Sequence, residues 1–426
     1  MRMKKKHIIL ILTALTALSC GRVVVDDGPD EPIGFGWYAA RSAKASTKAD
    51  TGTLVTGVTH LPSGSTFGVF GYFHAQSGTA QNPVAGGWKD NVSRNYPNLF
   101  YNESVAISGS NGNYTYSYDN SRYWPKNTND RISFFAYFPY NASMVEDEQE
   151  QQSNTAIVEP ILDYNNAQEG MVSFYYTVPA DPADHVDFMV SDLCADQSKA
   201  LWNTDHTRGL TGTENGKVKF FFHHALCQIR IRPVEFEATN PNVEVNLKSV
   251  RFTGIPMSGR CVPTPNFTLK DANTGRTPVT PTWPTQYFSV LRPGELSETG
   301  VTTAACYNTQ GVLTAPENIL LLMPQTFQED GDAYIEVRVD LVRWKNINDK
   351  GYLQDGVTPD PAKYNYYYPD TILNVPLYSG VTSWQAGKIY TYSLAVNVQT
   401  IRVTGVEVDT WQTATEDVFM DPIPNE

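Results

Sequence analysis

The sequence is short of charge, of histidine and of long apolar runs. Only 18% of its 426 residues are charged, and 32 Lys and Arg face 45 Asp and Glu, leaving a formal net charge of −13. A deficit of cations argues against nucleic-acid binding, because affinity for phosphates comes from Lys and Arg. Low charge combined with 12% aromatic residues argues against disorder. Nor is the composition dominated by the Ala, Glu, Lys and Leu of a coiled coil. Beyond residue 20 no apolar run approaches the roughly 20 residues that a helix needs to cross a bilayer. There are seven His in all, and no HExxH, GxSxG, phosphate-binding loop or dinucleotide fingerprint. No enzymatic activity and no cofactor or metal is therefore expected. What the chain has in quantity is 24 Tyr, 19 Phe, 8 Trp, 30 Gly and 27 Pro. This is the profile of a turn-rich β protein outside the cytoplasm, with room for two or three cores at about 150 residues each.

The N-terminus carries an address. Arg2, Lys4, Lys5 and Lys6 precede an apolar run from Ile8 to Leu18, the n- and h-regions of a secretory signal. Leu18-Ser19-Cys20-Gly21 resembles the bacterial lipobox, in which the cysteine thiol is acylated and becomes the first residue. Loss of residues 1–19 removes four cations and no anions, taking the net charge from −13 to −17. Lipidation of Cys20 also accounts for the odd one of five cysteines; pairing among Cys194, Cys227, Cys261 and Cys306 stays open. Residues 20–32, acidic and containing Gly and two Pro, read as a tether between lipid and folded body.

Period-two alternation dominates the remainder, broken by Gly, Pro, Asn and Asp. Thr66–Phe73 is rich in strand formers. Asn113–Tyr118 places three Tyr on one face. Arg131–Phe138 (RISFFAYF) is almost wholly apolar and predicts a strand buried on both sides. Asn215-Gly216 predicts a tight turn leading into Lys217–Arg232, read as one half-buried strand with Ala225, Cys227, Ile229 and Ile231 inward and Leu226, Gln228, Arg230 and Arg232 outward. Lys388–Val398 and Ile401–Trp411 close the pattern. Antiparallel sandwiches follow, with a boundary near residue 216 separating bodies 33–216 and 217–426.

Polar clusters have modest readings. His223 and His224 precede Cys227, but neighbours on a strand face opposite sides and cannot share a metal unaided. Glu146–Glu150 reads as a solvated loop, and Asp181, Asp184 and Asp187 as loop caps rather than a calcium site. Trp124, Trp384 and Trp411 lie beside strand patterns and are assigned to cores.

Five stretches in order resemble the fimbrillin family, the type V pilus subunits and related surface lipoproteins of Bacteroidales. They are Thr66–Phe73 (TFGVFGYF); Tyr123-Trp124-Pro125 with Ile132–Pro139 (ISFFAYFP); Asp187–Asp192 (DFMVSD) with Val218–Ile229 (VKFFFHHALCQI); Leu320–Phe327 (LLLMPQTF); and Trp384–Val396 (WQAGKIYTYSLAV) with Val406–Trp411. The resemblance implies an all-β fold of two tandem transthyretin-like Greek-key β-sandwich domains without enzymatic activity. It implies a cell-surface fimbrium at the outer membrane, anchored through lipid on Cys20, with other pilus subunits as partners by donor-strand exchange and host or bacterial surface ligands as further ones. It also implies proteolysis after an Arg near the first strand; the matching bond is Arg41–Ser42, which would free Ile33–Ala39. The alternative reading is a surface glycan-binding lipoprotein that does not polymerise. Only Gln412–Glu426 follows Trp411, and Pro422 and Pro424 cannot donate to a strand ladder. Extended at about 3.3 Å per residue these fifteen would reach roughly 50 Å, leaving stalk, tip, anchor and accessory positions open.

Overall fold

The structure, a computed structural model, describes residues 32–38, 46–48, 54–56, 63–74, 78–79, 82–83, 97–110, 113–127, 130–145, 157–162, 171–179, 184–198, 213–214, 217–232, 235–236, 240–266, 268, 277–283, 319–397 and 399–411. Among them the chain is all-β, with one short 3-10 turn at Leu377–Ser379.

Arg131–Phe138 is the centre of the largest sheet, and its near-continuous apolarity has the predicted cause. Ile132, Phe134, Ala136 and Phe138 enter one buried cluster, while Phe135 and Tyr137 enter another on the opposite face. The sheet runs Gly34–Tyr38, Lys217–His224, Met189–Ser191, Arg131–Phe138, Thr66–His74, Phe100–Ser110 and Asn113–Ser117. Cys194–Gln197 is added beside Arg131–Phe138, and Thr213–Glu214 beside Lys217–His224 in the register a two-residue hairpin requires. One face of this sheet curls around Phe67, Val69, Val105, Ile107, Phe134, Phe220 and Phe222. The glycines of TFGVFGYF make room for rings on neighbouring strands. A Cβ on Gly68 would lie 2.1 Å from the Tyr137 ring, and one on Gly71 would lie 2.5 Å from that of Phe100.

The second half of the chain forms two facing sheets. Val243–Thr253, Tyr334–Trp344 and Tyr364–Pro376 make one; Glu235–Phe236, Lys388–Val396, Cys227–Ile231 and Leu320–Leu322 make the other, with Ile401–Thr410 beside Lys388–Val396. Between them Phe252 meets Trp384 and Tyr392 edge-on, at 5.8 and 6.1 Å. A further sheet orders Val158–Ile161, Ser173–Thr177, Ser258–Pro265 and Val279–Thr282. It draws two strands from each half of the chain, so one apolar cluster extends from Phe70 and Tyr72 through Phe174 and Tyr176 to Ile229 and Tyr392.

Lys217–Arg232, expected as one strand, is two. Lys217–His224 lies in the large sheet, and Cys227–Ile231 lies in the sheet of Lys388–Val396. The break at Ala225-Leu226 is held by the Ala225 N–H donating to the Phe188 carbonyl (2.9 Å) and the Gly387 N–H donating to that of Leu226 (2.9 Å). Leu226 and Gln228, expected outward, are buried, because the second strand is interior to its sheet and covered on both faces. Trp124, Trp384 and Trp411 are buried as expected. Cys194, Cys227 and Cys261 are buried and outside any disulfide, and burial pushes the Cys227 and Cys261 thiols above their ordinary pKa. Cys306 lies outside the described residues.

Candidate functional site: the seam of the first strand

The segment IGFGWY alternates Ile33, Phe35 and Trp37, the pattern of a strand with one buried face. Its regular part, Gly34–Tyr38, pairs in parallel with Lys217–His224, from Gly34 opposite Lys217 to Tyr38 opposite Phe221. That ladder occupies one side of the strand at the end of the large sheet. The opposite end of the same sheet comes round to meet the strand's beginning. The Ile33 N–H donates to the Arg122 carbonyl (2.8 Å), Tyr118 Oη donates to the Ile33 carbonyl (2.7 Å), and Pro32 bridges to Tyr123. The first strand is thus the seam between the two ends of one curled sheet.

Phe35, 1% exposed, anchors the seam. Its ring centroid lies 5.2 Å from Phe100, 5.3 Å from Tyr118, 5.8 Å from Phe220 and 6.1 Å from Phe134. Such ring pairs add roughly 0.5–1.5 kcal/mol each beyond area burial. Ile33 is buried in the same cluster. Arg122 supports the far bank: Nε donates to the Leu99 carbonyl (3.2 Å), and the guanidinium lies 5.9 Å over the Phe100 ring. Burial raises the Tyr118 phenol pKa, and it raises that of the Glu103 carboxyl although Arg122 opposes the shift. Together these groups form an apolar trough in which a short strand satisfies backbone donors on one side and fills an aromatic socket beneath.

The three residues nominated from sequence, Cys20, Arg41 and Ser42, lie outside the described residues, as does the acidic run Glu146–Glu150. Arg41 follows the strand end at Tyr38 by three positions. The partners that define the seam were not singled out from sequence. Tyr118 was legible only as one of three alternating tyrosines, and no local pattern pairs residue 34 with residue 217.

The histidine pair behaves as strand geometry requires. His223 Nε2 donates to Asp192 Oδ1 (2.6 Å), while His224 Nδ1 donates to Asp187 Oδ2 (2.8 Å) and the His224 ring stacks on Trp411 at 3.8 Å. Each imidazole thus has its own carboxylate. Among the described residues no three His, Cys, Asp or Glu side chains are placed to hold a metal ion, and no helix is long and apolar enough to cross a membrane.

Comparison with known proteins places the chain as a whole. A solved fimbrial protein from Bacteroides vulgatus is 18% identical, over 81% of this chain and 93% of its own, with a TM-score of 0.46. The tip fimbrial protein Mfa3 from Porphyromonas gingivalis, solved with a C-terminal truncation, is 10% identical over 86% of this chain and 98% of its own, with a TM-score of 0.32. No curated protein matches. A family profile described as fimbrillin-like matches residues 47–411, from just beyond the first strand to the buried Trp411. With most of its length covered by that match, the chain belongs to the fimbrillin-like family.

Proposed function

We propose that this chain is a structural and adhesive subunit of a cell-surface pilus, built as two β-sandwich bodies and assembled by strand exchange. In this reading the chain is exported as a lipoprotein through Cys20, placed at the outer membrane, and cut between Arg41 and Ser42. The observation that carries the reading is the seam. Gly34–Tyr38 is short, terminal and paired along one side, yet it covers a deep aromatic socket. Its departure would leave unpaired the side of Lys217–Phe221 that faces it and expose Phe100, Phe134 and Phe220. A row of free backbone groups beside an apolar trough is what an added strand satisfies. Because each subunit would give one strand and receive another, the contact is heterologous and propagates rather than closing. Family membership supports the same role.

The test is N-terminal sequencing of surface-assembled material from cells carrying the wild-type chain or Arg41→Ala. The reading expects wild-type material to begin at Ser42 and the variant to remain at Cys20, unassembled. Wild-type assemblies that begin at Cys20 would overturn it.

A further inference from the structure

Tyr364–Pro376 carries an aromatic face that the fold does not use. Among the described residues it is the edge strand of its sheet, paired with Tyr334–Trp344. At its start the sequence Tyr-Asn-Tyr-Tyr-Tyr-Pro deals tyrosines to both faces. Tyr364 and Tyr367 lie on one side, partly buried, with ring centroids 5.8 Å apart. Tyr366 and Tyr368 lie on the other, 54% and 58% exposed, with centroids 6.4 Å apart and planes within 11° of parallel. The register sets Arg343 opposite Tyr366, and its guanidinium carbon lies 5.9 Å from that ring's centroid. Arg343 is exposed and makes no ion pair or side-chain hydrogen bond with any described residue.

The strand's free edge is poorly suited to another strand. Pro369 and Pro376 lack the N–H a ladder needs, and two register shifts bulge the strand. Asp370 sits at φ 50° with its N–H already donated to Asp340 Oδ1 (2.9 Å). These are the devices by which edges avoid strand addition. What is left on offer is ring surface and one guanidinium without an ion pair among the described residues, and Tyr and Arg are the residue types in which binding energy concentrates.

The two features select a ligand chemistry. A tyrosine face attracts the C–H-rich face of a pyranose, whose hydrogens are polarised positive by the neighbouring oxygens. A guanidinium fork takes a carboxylate through two parallel hydrogen bonds. We propose that Tyr366, Tyr368 and Arg343 form a binding site for an acidic glycan, with a carboxylated pyranose seated on the rings and its carboxylate on Arg343. The chain as a whole is acidic, so the attraction is local and belongs to this guanidinium. Salt, which screens exposed charges within about 10 Å at 0.1 M, should weaken the preference for acid and leave the stacking. The site shares no residue with the first strand, and it stands whether or not that strand is exchanged.

The test titrates the purified chain, by calorimetry at low salt, with a galacturonate oligosaccharide, with sialyllactose and with neutral lactose. At least one acidic ligand is expected to bind more tightly than lactose, and which of them does so distinguishes a uronic from a sialylated source. Arg343→Gln should reduce acidic binding about tenfold, toward the neutral level. The double variant Tyr366→Ala, Tyr368→Ala should abolish binding while the melting temperature holds, since both side chains are exposed. Failure of both acidic ligands, equal affinity for lactose, or binding that survives the double variant would overturn the proposal. So would self-association in sedimentation that depends on these tyrosines, which would give the face to a second copy of the chain.

Discussion

Two of the parallel strand pairs among the described residues are built to opposite ends. Gly34–Tyr38 lies against Lys217–His224 at the end of its sheet; beyond that ladder, the described contacts are the Pro32 bridge to Tyr123, the Ile33 bonds with Arg122 and Tyr118 and the burial of Ile33 and Phe35. Lys388–Val396 lies against Cys227–Ile231, but it is interior. It takes Ile401–Thr410 antiparallel along its whole length, from Lys388 opposite Thr410 to Val396 opposite Ile401, and Glu235–Phe236 in parallel. Seven of its nine residues are buried, and Trp384 Nε1 donates to Tyr392 Oη (2.8 Å). The same local geometry therefore serves a permanent core in one place and a short, one-sided closure in the other. What differs is the number of neighbours across which each strand's hydrogen bonds and apolar area are shared.

The comparison is broken most forcefully at the permanent end. Tyr392→Ala removes a buried ring that meets Phe252 and the Trp384 indole, and should cost about 3–5 kcal/mol. Denaturant unfolding should show the loss as a global shift in midpoint. A loss below about 1 kcal/mol would mean that this strand is no better integrated than the first.

At the seam, Phe35→Ala should cost about 3 kcal/mol, spent locally. Amide exchange should speed up at the backbone of Lys217–Phe221 while that of Lys388–Val396 stays protected. If both regions lose protection together, the first strand is an integral element and the contrast fails. The smallest effect is expected from Tyr118→Phe, which keeps the ring and deletes the bond to the Ile33 carbonyl together with the acceptor of the Arg122 N–H, at about 1 kcal/mol. Faster proteolysis at the seam with an unchanged melting temperature is the expected reading.

Much of this architecture can be read from the chain, and the unreadable part has a common cause. The double burial of Arg131–Phe138 and the core placement of Trp124, Trp384 and Trp411 follow from local composition and period, whereas the first strand, Ile33–Ala39, was marked only by the family resemblance. Lys217–Arg232 misled because alternation persists through Ala225-Leu226 while the chain changes sheets; a period of two carries no mark of which sheet a strand joins. The opposed faces of His223 and His224 were legible, but their carboxylates, Asp192 and Asp187, lie 31 and 37 residues away. The exposure of Tyr366 and Tyr368 is not legible in the sequence, because an aromatic-rich strand reads as core until the sheet order puts it on an edge.

By itself, then, the sequence determined an all-β, aromatic-cored chain, because strand period and ring burial are properties of neighbouring residues, and a family resemblance singled out Ile33–Ala39 as its first strand. Only the tertiary structure decided that this first segment closes a sheet against residue 217 while its counterpart at Lys388–Val396 is locked in the interior. Such pairings depend on how distant strands are brought together, and no local pattern records the loops that do it.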